Sequence, residues 1–196
     1  MFANRFTAFV DACSLVGVLK RNLLLTLAEA DFYRLRWSVP VLDEVERAIA
    51  RLFTERGHPA PATEATRQRL RMETAFEEAM VSDFEAFLPS CTGLPDPNDA
   101  HVVAAALKTQ AFTIVTDNLK DFPPAFLSTL NLEARSTDGF LADTIALEPG
   151  RAVAAIRTMR KRLKKPEITA ERLLISMEAE GLTQTVDVLR THALSL

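Results

Sequence analysis

The chain has 196 residues, of which 48% are hydrophobic and 25% are charged, the balance of a soluble globular protein and not of a disordered one. No stretch approaches the roughly 18 to 20 continuous apolar residues of a membrane span, and the apolar run 6–10 is too short for a signal peptide. Its two cysteines form no CxxC pair and predict reduced thiols, not a disulfide or a zinc site. We therefore expect a cytoplasmic protein without a membrane partner.

Charge is unevenly distributed along the chain. Residues 1–148 hold 14 Lys and Arg against 21 Asp and Glu, a net charge of −7, and residues 149–196 hold 9 against 5, a net charge of +4. This asymmetry suits a carboxylate-rich metal site beside a phosphate-attracting surface, although it also arises by chance. Pro149 and Gly150 mark the change, and we predict one domain over 1–148 and a helical extension over 149–196.

Apolar periodicity predicts strands that alternate with helices. The predicted strands are 6–10, 33–39, 84–88 (the weakest pattern), 112–116 and 132–135. The predicted helices are 15–30, 41–55, 63–80, 100–109, 140–145, 151–164 and 169–180, followed by a shorter C-terminal helix. Such alternation is typical of a parallel sheet with helices on both faces. We expect a three-layer α/β/α fold with a central parallel sheet, plus a small C-terminal helical extension.

Acidic side chains follow two of the apolar strands. Asp11 ends the first predicted strand, and Asp117 and Asn118 end the fourth. A turn with Asp96 and Asp99 opens the helix before that fourth strand. Because ligands of an open parallel sheet bind at the carboxyl ends of its strands, we expect these side chains to lie close together. A hard divalent cation with oxygen ligands, Mg²⁺ or Mn²⁺, would relieve their mutual repulsion.

The predicted helix 41–55 offers one more carboxylate. At about 100° per residue, Glu44 and Glu46 lie on the two borders of its apolar stripe, from which a carboxylate can lean over the edge of the sheet. Periodicity alone leaves the choice between these two glutamates open.

Each of these acids also has a purely structural interpretation. Asp11 and Asp99 precede helices and suit the N-cap position. Asp117 fits an ordinary loop, and Glu44 fits a solvated helix edge. His101, close to Asp99 in sequence, is interpreted as a helix-surface residue. The functional hypothesis therefore depends on the combination and not on any single residue.

Four segments, in this order and at this spacing, resemble the PIN-domain nucleases over about residues 6–145. They are FVDACSL at 9–15, VLDEVER at 41–47, DPNDAHVVAAA at 96–106 and IVTDNLKDFP at 114–123. The Asp-Pro-x-Asp turn is similar to one branch of that family, and the closing helical segment is similar to the tail of its toxin-type, VapC-like members.

The resemblance implies that Asp11, Glu44 and Asp99 are metal-binding catalytic acids, with Asp96 and Asp117 as supporting metal-binding candidates. A further catalytic position, where the family has Thr-x-Asp or Thr-x-Asn, falls on Asn118. Together with Asp117 it completes the catalytic set that we expect. Because Asn118 replaces an acid, this position carries no charge, and whether Asp117 or Asp121 replaces that charge stays open.

The activity that the resemblance implies is a Mg²⁺- or Mn²⁺-dependent endoribonuclease that hydrolyses RNA phosphodiester bonds and leaves a 5′-phosphate and a 3′-hydroxyl. The protein would then be the toxin of a type II toxin–antitoxin pair. Its implied partners are the RNA substrate, a cognate antitoxin protein and a second copy of the chain in a homodimer.

Other functions remain open on the sequence. A catalytically silent PIN-like module that binds RNA or a protein partner is favoured by Asn118 and by the Ala12-Cys13 pair. An aspartyl phosphatase would have a second Asp where Cys13 stands, and none of the six glycines lies in a nucleotide-binding loop. The densest basic run fits either a phosphate-backbone contact or a solvated helix face. It consists of Arg157, Arg160, Lys161, Arg162, Lys164 and Lys165.

Overall fold

The computed structural model describes residues 6–163 and 168–196. The chain forms two compact units. The first comprises Met1–Val16 with Arg34–Arg135, and the second comprises Gly17–Tyr33 with Ser136–Leu196. The domain boundary expected between residues 148 and 149 stays a prediction.

The first unit contains a sheet of five parallel strands in the order β3-β2-β1-β4-β5. The strands are β1 (Thr7–Val10), β2 (Arg34–Ser38), β3 (Met80–Val81), β4 (Thr113–Val115) and β5 (Glu133–Arg135). The two strands at the centre, β1 and β4, are almost wholly buried, as expected of β-branched and aromatic residues in a parallel sheet. The predicted α/β class, with a central parallel sheet, flanking helices and a helical C-terminal part, is confirmed.

The α-helices of the described residues follow the chain as α1 (Ala12–Val16), α2 (Val18–Glu29), α3 (Val39–Glu55), α4 (Pro61–Ala75), α5 (Ala100–Lys108), α6 (Pro124–Leu127), α7 (Thr137–Leu147), α8 (Pro149–Arg162), α9 (Ala170–Ala179) and α10 (Thr183–Arg190). Helix α5 packs on β1, β2 and β4, and it thereby anchors the turn that precedes it to the sheet. The C-terminal end predicted for the helix 151–164 falls outside the described residues.

Three predicted elements differ from the observed ones. The helix 15–30 is interrupted at Gly17, whose backbone is extended with ψ 127°. The prediction of a strand at 84–88 is wrong, because Glu85–Cys91 forms a 3₁₀ helix that contains Pro89 and packs on α5. The helix 63–80 ends at Ala75 instead; Glu77–Ala79 forms a 3₁₀ turn, and Met80 opens the edge strand β3, which pairs with β2.

Helix α3 buries the stripe that its sequence predicts, with Val41, Leu42, Val45 and Ile49 inside. Its N-terminal turn contains a proline, which has no N–H to leave unsatisfied there. Helix α4 has only two buried residues and packs against α3. Arg69 on α4 ties the pair together by donating to the carboxylates of two residues on α3.

The second unit is helical. Buried Asp138 accepts hydrogen bonds from the backbone N–H of Gln184 and Thr185, at 2.9 and 2.8 Å, and so caps the start of α10. The guanidinium of Arg151 lies 4.2 Å from the ring centroid of Phe32. None of the helices in the described part of the chain combines the length and the hydropathy needed to cross a lipid bilayer.

Candidate active site

The candidate site lies where β1 and β4 end side by side, the point of the sheet at which the strand order reverses. The backbone N–H of Asp11 donates to the carbonyl oxygen of Val115 at 3.0 Å and extends the β1–β4 ladder by one residue. Asp11 therefore lies beside Thr116, whose hydroxyl donates to Asp11 Oδ2 at 2.7 Å. The backbone N–H of Ala12 donates to the other oxygen, Oδ1, at 2.6 Å. Asp11 is only 6% exposed, so these donors stabilise a buried carboxylate.

Cys13 joins the ends of the same two strands. Its thiol donates to Asp11 Oδ2 at 3.1 Å, and its sulfur accepts the backbone N–H of Asp117 at 3.2 Å. Although Cys13 reaches the surface, loss of hydration around the sulfur, followed by the charge of Asp11, raises the pKa of the thiol to about 11. The thiol thus stays protonated and serves as a hydrogen-bond donor. Both Cys13 and Cys91 are free.

The two acids of the Asp-Pro-x-Asp turn have different environments. Asp96 Oδ1 accepts hydrogen bonds from the backbone N–H and the side-chain amide of Asn98, both at 2.9 Å, and caps the 3₁₀ turn Pro97–Asp99. Asp99 stands at the N-cap of α5 but makes no side-chain cap hydrogen bond. Its Oδ2 is buried and has no hydrogen-bond partner among the described residues. The N-cap interpretation therefore suits Asp96 and fails for Asp99.

The pKa of Asp99 is raised by its burial and by the acids around it. Burial is the largest cause that raises this pKa, and the negative charges of Asp11, Asp96 and Asp121 raise it further. His101 acts in the opposite direction, and the resulting pKa is about 6. Carboxylates from the end of β1, the turn before α5 and the loop after β4 are thus close enough to repel one another.

The loop after β4 holds three candidate side chains, those of Asp117, Asn118 and Asp121. Asn118 donates its side-chain amide to Asp121 Oδ2 at 2.6 Å, and its backbone N–H donates to the Thr116 hydroxyl at 3.1 Å. The Asp121 side chain is 17% exposed, whereas Asp117 is exposed and offers its backbone N–H to Cys13. Asn118 itself carries no charge, but its side-chain amide holds the neighbouring carboxylate of Asp121 in place.

The two border glutamates of α3 point to different neighbours. Glu44 Oε1 lies 3.1 Å from His101 Nε2, in the first turn of α5. Glu46 accepts hydrogen bonds from Thr66 and Arg69 on α4, at 2.5 and 2.9 Å, and these contacts lower its pKa. Glu46 is thus part of the α3–α4 packing, and Glu44 is the glutamate that faces the helix which follows Asp99.

The acids of the site have the chemistry of ligands for a divalent cation, but they do not have the spacing of an occupied metal site. Among the described residues, no three His, Cys, Asp or Glu side chains are gathered as closely as a coordinated ion would hold them. The donor chemistry nevertheless fits a hard cation. Asp99 Oδ2 is a buried carboxylate oxygen with no described partner, and it lies among three further carboxylates. Carboxylate oxygens are the ligands that Mg²⁺ and Mn²⁺ prefer.

Three residues of this site were not predicted as members of it from the sequence. Thr116 and Cys13 contact Asp11, and His101 contacts Glu44. A signal for Thr116 was present, since a hydroxyl residue at the end of an apolar strand lies next to the acid that ends the neighbouring strand. No sequence pattern identifies the partner of His101, because the contact joins two helices.

The basic run of α8 is only partly available to a ligand. Arg160 donates to two backbone carbonyl oxygens, and Arg162 forms an ion pair with Glu29 at 3.0 Å. Arg157 and Lys161 are exposed. The last two lysines of the run lie outside the described residues.

Two family models and one curated relative match the chain. The family model described as PIN domain matches residues 7–120, more than half of the chain, and the model described as VapC50 C-terminal domain matches residues 137–191. A protein of Mycobacterium tuberculosis (strain ATCC 25618 / H37Rv) named "Putative ribonuclease VapC50" is 38% identical over 76 residues, which are 39% of this chain and 45% of that relative. The match thus spans less than half the length of the relative. No solved structure matches the chain. The chain belongs to the PIN domain family.

Proposed function

We propose that this protein is a metal-dependent endoribonuclease that hydrolyses phosphodiester bonds of RNA at the carboxyl edge of its parallel sheet. The observation that carries the proposal is the buried oxygen of Asp99, without a hydrogen-bond partner among the described residues and surrounded by the charges of Asp11, Asp96 and Asp121. Such an arrangement is costly unless a cation compensates it. A site kept at this cost is a candidate for function.

The acids that would hold Mg²⁺ or Mn²⁺ are Asp11, Glu44 and Asp99, with Asp96 and Asp117 as supporting candidates. A divalent cation bound there would lower the pKa of a water molecule and neutralise charge that grows on the phosphate oxygens. To coordinate one cation together, these acids would have to lie closer together than they do in the described chain.

The side chains around these acids prepare the site. Thr116, Cys13 and the N–H of Ala12 fix both oxygens of Asp11, so that its carboxylate does not have to be ordered when substrate arrives. Asn118 fixes Asp121 in the same way. A phosphodiester that approaches this edge meets four carboxylates, and Lys120, which lies 3.9 Å from Asp121 Oδ2, offsets the charge of only one of them. Cleavage should therefore be lost completely in EDTA.

RNA as the substrate is supported by the name of the relative, which calls it a ribonuclease. A toxin role is supported by the resemblance of the helical tail to toxin-type members of the family. A cognate antitoxin protein and a homodimer belong to this proposal. Co-purification with the product of a neighbouring small open reading frame would support the antitoxin, and a monomeric mass in solution would contradict the homodimer.

The decisive experiment is cleavage of a labelled RNA pool by the full-length protein with Mg²⁺ or Mn²⁺. The controls are EDTA, a DNA pool of the same sequences, and the variants Asp11→Asn and Asp99→Asn. Asp187→Asn, an exposed acid on α10, is the matched control. We expect cleavage of RNA that EDTA and both site variants abolish and that Asp187→Asn retains. Cleavage that survives Asp99→Asn would contradict the assignment of the site.

A catalytically silent module that binds RNA or a protein is the second candidate. It is favoured by the spread of the acids over the described residues and by the missing charge at Asn118. RNA binding without cleavage in either metal would support it, provided that the binding survives Asp99→Asn.

A further inference from the structure

His101 occupies an unusual position next to the carboxylate site. It lies two residues after Asp99, in the first turn of α5, and its Nε2 lies 3.1 Å from Oε1 of Glu44. The side chains of His101 and Glu44 are 17% and 38% exposed. The other ring nitrogen, Nδ1, is buried and has no hydrogen-bond partner among the described residues. The only polar contact of this ring within the described chain is therefore with Glu44.

We propose that His101 is a positioning residue that holds the carboxylate of Glu44 toward the site, a role that rests on the proposed metal-dependent function. The Nε2–H donates to Glu44 Oε1 and leaves Oε2 for a cation. This hydrogen bond would hold the carboxylate in one rotamer. Outer hydrogen-bond partners orient metal ligands in the same way in other proteins.

Glu44 needs such a partner because of its position on α3. It stands at the border of the buried stripe, where the side chain is partly solvated and several rotamers are open to it. Within residues 6–163 and 168–196, the hydrogen bond to His101 is the one polar contact of this carboxylate. Without it, binding a cation would include the entropic cost of ordering a glutamate side chain.

His101 is well placed to supply the fixed point. The residues that follow it, from Val102 to Ala106, are completely buried, and α5 packs on three strands of the sheet. The ring has only two rotatable bonds and is attached to a rigid element. Because Asp99 precedes the same helix, the contact fixes Glu44 relative to the acid whose oxygen lacks a partner.

The test is a comparison of Mn²⁺ affinity, measured by isothermal titration calorimetry on full-length protein at pH 7.5. His101→Ala removes the donor. His101→Gln restores an amide N–H near the position of Nε2, whereas His101→Asn places it near Nδ1. His58→Ala is the matched control, because His58 lies between α3 and α4 and away from this contact. Urea unfolding in EDTA shows whether each variant is folded.

We expect His101→Ala and His101→Asn to weaken Mn²⁺ binding about tenfold, the lower end of the range for outer partners of metal ligands. His101→Gln should recover most of this loss, and His58→Ala should bind as the wild type does. In a Glu44→Ala background, His101→Ala should cause no further loss, since the effect passes through Glu44.

Three outcomes would overturn the proposal. Unchanged affinity in His101→Ala removes the positioning role while leaving the metal site intact. An equal loss with and without Glu44 means that His101 acts on the site by another route. Wild-type protein that binds no Mn²⁺ removes the proposed metal-dependent function, and this inference with it.

Discussion

Asp99→Asn should stabilise the metal-free protein, although it should destroy the proposed activity. Asp99 has a buried oxygen without a described partner and three acidic neighbours. An asparagine in its place carries no charge, and its amide N–H₂ can donate to the neighbouring carboxylates. The substitution thus removes a repulsion that the folded chain otherwise keeps.

The magnitude follows from the pKa of Asp99. A rise from 3.8 to about 6 corresponds to at most about 3 kcal/mol at 1.36 kcal/mol per unit, and partial solvent screening reduces this to about 1–2 kcal/mol. Because the folded state binds the proton more tightly, stability is lost as the pH rises from about 4 through 6. The advantage of Asp99→Asn should therefore be full above pH 6 and should disappear near pH 4.

The assay is urea unfolding in EDTA at pH 7.5 and pH 4, followed by the fluorescence of the single, fully buried Trp37. Asp187→Asn serves as control and should change the free energy of unfolding by no more than about 0.5 kcal/mol. Saturating Mg²⁺ should reverse the order, because wild type gains about 2.7 kcal/mol at a hundredfold excess over the dissociation constant. A variant that is less stable than wild type in EDTA at pH 7.5, or an advantage independent of pH, would refute the reasoning.

Three further predictions concern side chains that contact Asp11 or His101. Glu44→Gln should abolish RNA cleavage, whereas Glu46→Gln should retain it and cost at most about 1 kcal/mol of stability, since the hydrogen bonds of Glu46 within the described residues are with α4. Equal losses of cleavage rate in the two variants would contradict the assignment. Thr116→Val removes the 2.7 Å hydrogen bond to the buried Asp11 carboxylate and should lower the free energy of unfolding by about 1.5–3 kcal/mol, measured by urea unfolding at pH 7.5. The Cys13 thiol, with its pKa raised to about 11, should react with a disulfide reagent at pH 8 about tenfold more slowly than a free thiol, because its roughly hundredfold smaller thiolate fraction is partly offset by the greater nucleophilicity of a more basic thiolate. Rapid labelling in EDTA would argue against its role as a donor to Asp11.

Much of the fold could be predicted because its signals are local. The apolar stripe of α3 and the β-forming run before Asp11 are periodic features that depend on neighbouring residues, and both elements appear where the pattern predicts them. The prediction of a strand at 84–88 failed for one local and one non-local reason. Its aromatic and aliphatic residues suit a strand, but Pro89 cannot donate to a ladder and the segment packs on α5 as a 3₁₀ helix.

The sequence by itself determined the alternation of strands and helices and the acids that end the strands. Only the tertiary structure decided which acid faces which neighbour. It placed Glu44 against His101 and Glu46 against α4. It made Asp96 the cap of a 3₁₀ turn and left Asp99 with an oxygen that no described residue satisfies. The physical reason is separation along the chain. Thr116 lies 105 residues from Asp11, and His101 lies 57 residues from Glu44, so these hydrogen bonds exist only once the crossovers have brought the strand ends and helix turns together.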